Sequence, residues 1–218
     1  MSEQLEQLLA QLDEPVQVTV GALKGGVGKS TTAVHLALAL AKCSPLSVML
    51  VDADPVNAST FEWSEFAGDD WPSSVTVNYW PSANLAKRVR DSRHTGHVVI
   101  DTGPSDPAIL RQALMVTDHL VVPVAPTPAE VSRIRPTLEA AAEVGFNRDI
   151  SLNVLFTRVK PNTRSLREAR EAMEEQGLHA LATAVPFVLQ YSQAFGTVPD
   201  DLGVYPTVLI ETLERTRA

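Results

Sequence analysis

With 218 residues, 44% hydrophobic and 20% charged, the chain has the composition of one compact globular domain with a sizeable core. Lys and Arg total 18 against 26 Asp and Glu, and the net charge of −8 excludes coating nucleic acid by bulk charge, so any such contact has to be a local patch. The single cysteine, Cys43, excludes an intrachain disulfide, a four-cysteine zinc site and an iron–sulfur cluster held by one chain, and points to a reducing compartment.

The first residues are acidic and lack the basic-then-apolar order of a signal peptide. No apolar run approaches the roughly 20 residues of a membrane helix, so a soluble, cytoplasmic protein is expected. Leu5, Leu8, Leu9 and Leu12 fall at helical spacing and Pro15 ends the pattern, which predicts a lead-in helix within 1–15 and one domain over 16–218. β-Branched runs then alternate with helix-period segments. Strands are predicted at 16–20, 47–52, 75–79, 97–101, 119–124, 152–156 and 184–187, and helices at 29–42, 82–92, 106–116, 128–144, 163–176 and 205–216. The Pro- and Trp-rich stretch 63–81 reads as an irregular excursion. Several runs are apolar throughout, as in central strands covered on both faces, so the predicted fold class is α/β: a single-domain, doubly wound, mainly parallel sheet.

Immediately after the first strand comes Gly21-Ala-Leu-Lys-Gly-Gly-Val-Gly-Lys-Ser-Thr31, followed by a helix. It is read as a G-x-x-x-x-G-K-[ST] phosphate loop running from Gly21 to Ser30. The backbone N–H groups around Gly25, Gly26, Val27, Gly28 and Thr31 and the positive end of the helix suit phosphate. Lys29 places an ammonium on the terminal phosphates and Ser30 offers a hydroxyl to Mg²⁺.

The loop carries a second lysine, Lys24, in Lys24-Gly-Gly-Val-Gly-Lys-Ser-Thr31. Here the sequence resembles the deviant Walker A ATPases, the P-loop family of ParA-type partition proteins and MinD, and most of all the small plasmid-type ParA proteins. The resemblance spans about 16–204. It implies ATP and Mg²⁺ as cofactors and a homodimer formed on ATP binding, in which Lys24 reaches the nucleotide of the other subunit and joins Lys29 in catalysis. Asp52-Ala-Asp54-Pro55 resembles the family's D-x-D-P element, which implies that Asp54 orients or activates the attacking water and that Asp52 supports the Mg²⁺ shell. Asp101, ending an apolar strand, resembles the Walker B aspartate, which holds Mg²⁺ together with Ser30. The variant Asp101-Thr-Gly-Pro-Ser105 follows it, and Val56 and Asn57 stand where many relatives carry glutamine after the proline. Where many relatives read adenine with an asparagine, this chain has Thr157-Arg158, so base contacts fall to Thr157 and to Pro186-Phe187-Val188.

The function implied is a DNA segregation ATPase: an ATP-bound dimer that binds nonspecific nucleoid DNA, with hydrolysis stimulated by a ParB-like, centromere-binding adaptor. The segment before the first strand is too short for a helix-turn-helix, so operator binding is not expected. The tail from Val208 lacks a Lys-rich face with large aromatics, and no stable membrane association is expected. Candidate DNA contacts are Arg158, Lys160, Arg164, Arg167 and Arg170, five cations beside Glu168, three of them at three-residue spacing on one predicted helix. Lys87, Arg88, Arg90 and Arg93 form a second basic group, and Arg215 and Arg217 a third. Structural roles are expected for Cys43, the histidines at 35, 94, 97, 119 and 179, and the tryptophans at 63, 71 and 80. Two alternatives stay open, a ParA-like ATPase positioning a protein cargo and a MinD-like membrane-associated ATPase. Lys24 and the D-x-D-P element argue against a metabolic P-loop enzyme.

Overall fold

The computed structural model describes residues 2–104, 106–146, 149–161, 163–178 and 180–214. Six strands, β1 (Gln17–Val20), β2 (Val48–Ala53), β3 (Val75–Tyr79), β4 (His97–Thr102), β5 (His119–Val124) and β6 (Ser151–Phe156), form one sheet. Its order is β3-β2-β4-β1-β5-β6, and every pairing is parallel. Strands β2, β4 and β5 are buried at every position, which is why their sequences run apolar instead of alternating.

Parallel neighbours need crossover connections, and helices between successive strands supply them. In chain order the helices are α1 (Ser2–Leu9), before β1, then α2 (Lys29–Cys43), α3 (Ser59–Ala67), α4 (Leu85–Asp91), α5 (Pro107–Leu114), α6 (Pro128–Ser132) and α7 (Arg135–Gly145), and after β6 α8 (Arg164–Glu175), α9 (Leu189–Ser192) and α10 (Tyr205–Glu214). One layer centres on α2, which lies across the middle of the sheet and is flanked by α1, α3 and α10. On the other face α5 packs against β4 and touches α4 and α7, while α6 meets α8. The lead-in helix is part of the first layer: Leu5, Leu8 and Leu9 are buried in the same apolar cluster as the α2 and α10 side chains.

Register brings the site together. Val20 pairs with Asp101, and Asp101 pairs in turn with Asp52, so the loop after β1 emerges beside both carboxylates at the carboxyl ends of the central strands. That is where open α/β sheets bind their ligands.

Three expectations are corrected. Helix α3 and a 3₁₀ turn at Gly68–Asp70 replace the first part of the irregular excursion, and β3 forms where a strand was predicted at 75–79. The predicted helix 128–144 is two helices, because Pro136 in the first turn of α7 has no N–H to give the preceding turn. The predicted strand 184–187 makes only an isolated bridge between Val159 and Pro186, since proline cannot donate to a ladder. The short helix α9 was not anticipated. The predictions at Ser105, His179, Arg215 and Arg217 lie outside the described residues.

Candidate functional site: a phosphate loop with two lysines

The loop between β1 and α2 needs glycine at two points: Gly26 and Gly28 have φ of +74° and +84°, a region that side chains rarely adopt. Gly28 caps α2 with no side-chain acceptor, so the first N–H groups of the helix stay free to face an anion. Counted back from Lys29, the first glycine of the G-x-x-x-x-G-K-[ST] pattern falls on Leu23 and not on Gly21. Leu23 keeps its backbone in place by donating its N–H to the Thr137 hydroxyl at 3.1 Å. Gly21 is small for a different reason, because an added Cβ would lie 2.7 Å from the Leu110 side chain.

Lys29 is buried, and its ammonium donates to the Lys24 carbonyl at 2.7 Å. Burial lowers its pKa, opposed by the charges of Asp101 and Asp54. Lys24 is paired with Glu130 of α6.

The three carboxylates have distinct environments. Asp52 accepts the backbone N–H groups of Asp54, Thr60 and Phe61 at 3.0, 2.8 and 2.9 Å, so it anchors the start of α3. Both of its oxygens take part in that anchoring. Burial raises its pKa against those three bonds, and the Asp54 charge adds to the rise. Asp54 accepts from the Val56 N–H at 2.9 Å and from the Asn57 side-chain amide at 3.0 Å. Asn57 is thus the anchor of the segment after the proline.

Asp101 is 1% exposed. Its Oδ2 accepts from the Thr60 hydroxyl at 2.7 Å, while Oδ1 is buried without a partner among the described residues. Burial pushes its pKa up to about 7; the Ser30 hydroxyl opposes the rise, the Asp52 charge reinforces it, and the Thr60 hydroxyl and Lys29 ammonium oppose it. An orphaned carboxylate oxygen close to a serine hydroxyl fits a hydrated Mg²⁺, which keeps several waters and takes one or two protein ligands. No group of three or more His, Cys, Asp or Glu able to hold a metal ion occurs among the described residues.

Two clefts meet at the loop. The first, about 330 Å³, is polar: Lys29, Ser30, Asp54, Asn57 and Pro104 line it, with Trp63 at its back. The second, about 230 Å³, is more apolar and opens between Gly26, Thr31, Thr157, Pro186, Phe187 and Tyr191. The arrangement suits a polyphosphate in the first and a flat apolar group in the second. Thr157 lines the second cleft, but its hydroxyl donates to the Val27 carbonyl at 2.8 Å and so fastens the loop.

Arg158 borders the second cleft. Its guanidinium donates to the Gly26 carbonyl at 2.8 Å and sits 5.5 Å from the Phe187 ring centroid. Arg170 is also committed, bonded to the Leu181 and Ala182 carbonyls and stacked over Phe156. Arg164, itself exposed, pairs with Glu168 one turn on, and Lys160 and Arg167 are exposed as well. In the second basic group Lys87 pairs with Asp91, and Arg90 donates to the Met115 carbonyl. Helix α4 follows one edge strand, β3, and α8 follows the other, β6, so the two groups lie toward opposite sides of the sheet.

Sequence reasoning missed Glu130, Thr60 and Tyr191 as site residues, and it gave Arg158 another role. None carries a local motif.

A strand, a glycine-bearing loop and a helix that buries a lysine at its first turn define a P-loop nucleotide-binding protein. The chain belongs to the CobQ/CobB/MinD/ParA nucleotide-binding domain family, which matches residues 18–199. It is 37% identical over 161 residues to the maintenance of carboxysome distribution protein A of Gloeobacter kilaueensis, covering 72% of this chain and 70% of that protein. It is 30% identical over 151 residues to the protein ParA of Rhizobium radiobacter, covering 68% and 67%. In fold it is similar to the ATP complex of a Cyanothece McdA variant, with a TM-score of 0.70 at 20% identity over 93% of this chain and 95% of that one.

Proposed function

We propose that this chain is a MgATP-switched partition ATPase. ATP-bound dimers grip nonspecific nucleoid DNA, and hydrolysis stimulated by a centromere-binding, ParB-like adaptor releases them, so that a DNA cargo is segregated. The observation that carries the reading is a phosphate loop with two lysines: Lys29 shares the polar cleft with Asp54 and feels the charge of Asp101, while Lys24 is held by Glu130. Lys29 serves the bound phosphates from within. Lys24 is the residue for a second copy's phosphates, where a cation stabilises charge that develops in phosphoryl transfer. Asp54 accepts a hydrogen bond from the attacking water. Ser30 and Asp101 would hold Mg²⁺, which neutralises phosphate charge when bound.

A second reading keeps this cycle and changes the cargo to a protein assembly. It is favoured by the 37% identity to a protein named for carboxysome distribution, against 30% to one named ParA. No helix among the described residues is long and apolar enough to cross a membrane.

The test is binding to nonspecific duplex DNA with ADP, with ATP and with a nonhydrolysable analogue, at low and high salt. Binding that needs ATP and weakens with salt is expected, because phosphate contacts release counterions. Reversing the charge of Lys160 and Arg167 should then flatten the salt dependence. Equal binding in all nucleotide states, or none in any, overturns the reading.

A further inference from the structure

Both cations of the loop are occupied by the chain itself. The Lys29 ammonium rests on the Lys24 carbonyl at 2.7 Å, and the Lys24 ammonium is paired with Glu130. That pair is only partly open to water, with side-chain exposures of 32% and 15%, so solvent screens it less than a surface pair. Glu130 is itself fixed: its N–H donates to the Thr127 carbonyl at 3.0 Å, closing the first turn of α6. The next helix holds the same loop, since the buried Thr137 hydroxyl accepts the Leu23 N–H. The corner between α6 and α7 therefore grips the loop at two successive residues, one by a neutral hydrogen bond and one by charge.

We propose that Glu130 is a positioning residue that parks Lys24 within its own subunit and sets how readily Lys24 passes to the phosphates of a second copy. The inference rests on the reading of Lys24 given above. A lysine that must serve another subunit has to leave Glu130, and the cost of breaking a partly buried ion pair raises the threshold for dimer formation. The phosphates of a second copy's MgATP, which keep a net charge of about −2 with the metal counted, compete with one carboxylate, so the parked state yields to nucleotide and persists without it.

The experiment is sedimentation of the full chain with Mg²⁺ and a nonhydrolysable ATP analogue, to measure the monomer–dimer dissociation constant for the parent, Glu130→Gln and Lys24→Met. Glu130→Gln is expected to tighten the dimer by about threefold to tenfold, the worth of roughly one partly screened ion pair. Binding of a fluorescent analogue to dilute monomers should stay as in the parent. A purely structural role would weaken the dimer, not tighten it. Should Glu130→Gln fold poorly by circular dichroism, Glu130→Asp, which keeps the charge on a shorter arm, is expected to move the constant in the same direction by a smaller factor.

An unchanged or weaker dimer in the folded Glu130 variant overturns the inference. If Lys24→Met itself dimerises like the parent, the reading of Lys24 fails instead. If Lys24→Met cannot dimerise and the Glu130 variants show no tightening, only the parking role of Glu130 falls.

Discussion

Asn57 holds Asp54: the side-chain amide donates to Oδ2 at 3.0 Å, while the Val56 N–H donates to Oδ1 at 2.9 Å. The carboxylate proposed to orient water is thus fixed by its own loop at the edge of the polar cleft. Asp54→Ala is expected to keep MgATP-dependent dimers and to lower phosphate release by about 100- to 10,000-fold, the usual worth of a positioned general base. Gel filtration with ATP and a phosphate-release assay check the two halves separately. Monomeric Asp54→Ala protein with ATP bound would contradict the cycle.

Gly103 is the second control on the same carboxylate. A Cβ at this position would lie 2.8 Å from Asp54 Oδ1, closer than such atoms approach, and a tight 3.1 Å from the Pro55 ring. Gly103→Ala therefore has to shift Asp54 or the Asp-Pro turn. Turnover is expected to fall by about 10- to 100-fold, since a displacement near 1 Å suffices for such a loss, while ATP affinity changes little. Comparing kcat with KM for ATP distinguishes this from a general loss of folding.

The loop and the Asp-x-Asp-Pro element were legible because their chemistry is packed into consecutive residues after strands with clear apolar runs. The break between α6 and α7 has a local signal in Pro136, which the single helix expected at 128–144 leaves out. Contacts that join distant segments left no local trace. Leu23 and Thr137 are 114 positions apart, and Gly26 and Arg158 are 132 apart. Helix α3 starts on a carboxylate supplied by β2, so its own sequence, with Trp63 and exposed Phe66, looked irregular. Five cations in 158–170 suggested a patch, yet Arg158 and Arg170 face carbonyls and aromatic rings, a distinction that spacing cannot carry.

That reassignment of Arg158 is testable. Losing its charge-assisted bond to Gly26 and its stacking on Phe187 should weaken ATP and ADP alike by about 5- to 30-fold, as expected for roughly 1–2 kcal/mol. Calorimetric titration of Arg158→Ala with ADP checks it. At saturating ATP the salt dependence of DNA binding should match the parent, since the residue is not counted among the phosphate contacts. A parent-like ADP affinity with a shallower salt slope would return Arg158 to the DNA surface.

The pH dependence of folding depends in part on two buried histidines held neutral. His97 Nδ1 accepts the Val16 N–H at 2.9 Å, which places its proton on Nε2, facing the Ser44 hydroxyl at 2.8 Å. Burial lowers its pKa to about 4, with the His94 charge adding to the fall. His35, whose Nδ1 faces the Thr31 carbonyl at 2.7 Å, is also lowered to about 4 by burial, against that hydrogen bond. Both sit below the unfolded value of about 6.5, so between pH 6.5 and 4 the unfolded chain binds more protons. Stability from each histidine is complete above pH 6.5 and is lost as pH falls toward 4, on the order of 3 kcal/mol each at the lower end. Asp101, raised to about 7, acts with the opposite sign: its contribution is lost as pH rises through 7, so the whole-protein curve mixes the two. The difference between parent and His97→Gln isolates one of them. Glutamine keeps an amide able to face Ser44, and the variant is expected to lose less stability than the parent between pH 6.5 and 4.5 in urea titrations. Parallel curves for the two proteins would mean that His97 does not titrate across that window in the folded chain.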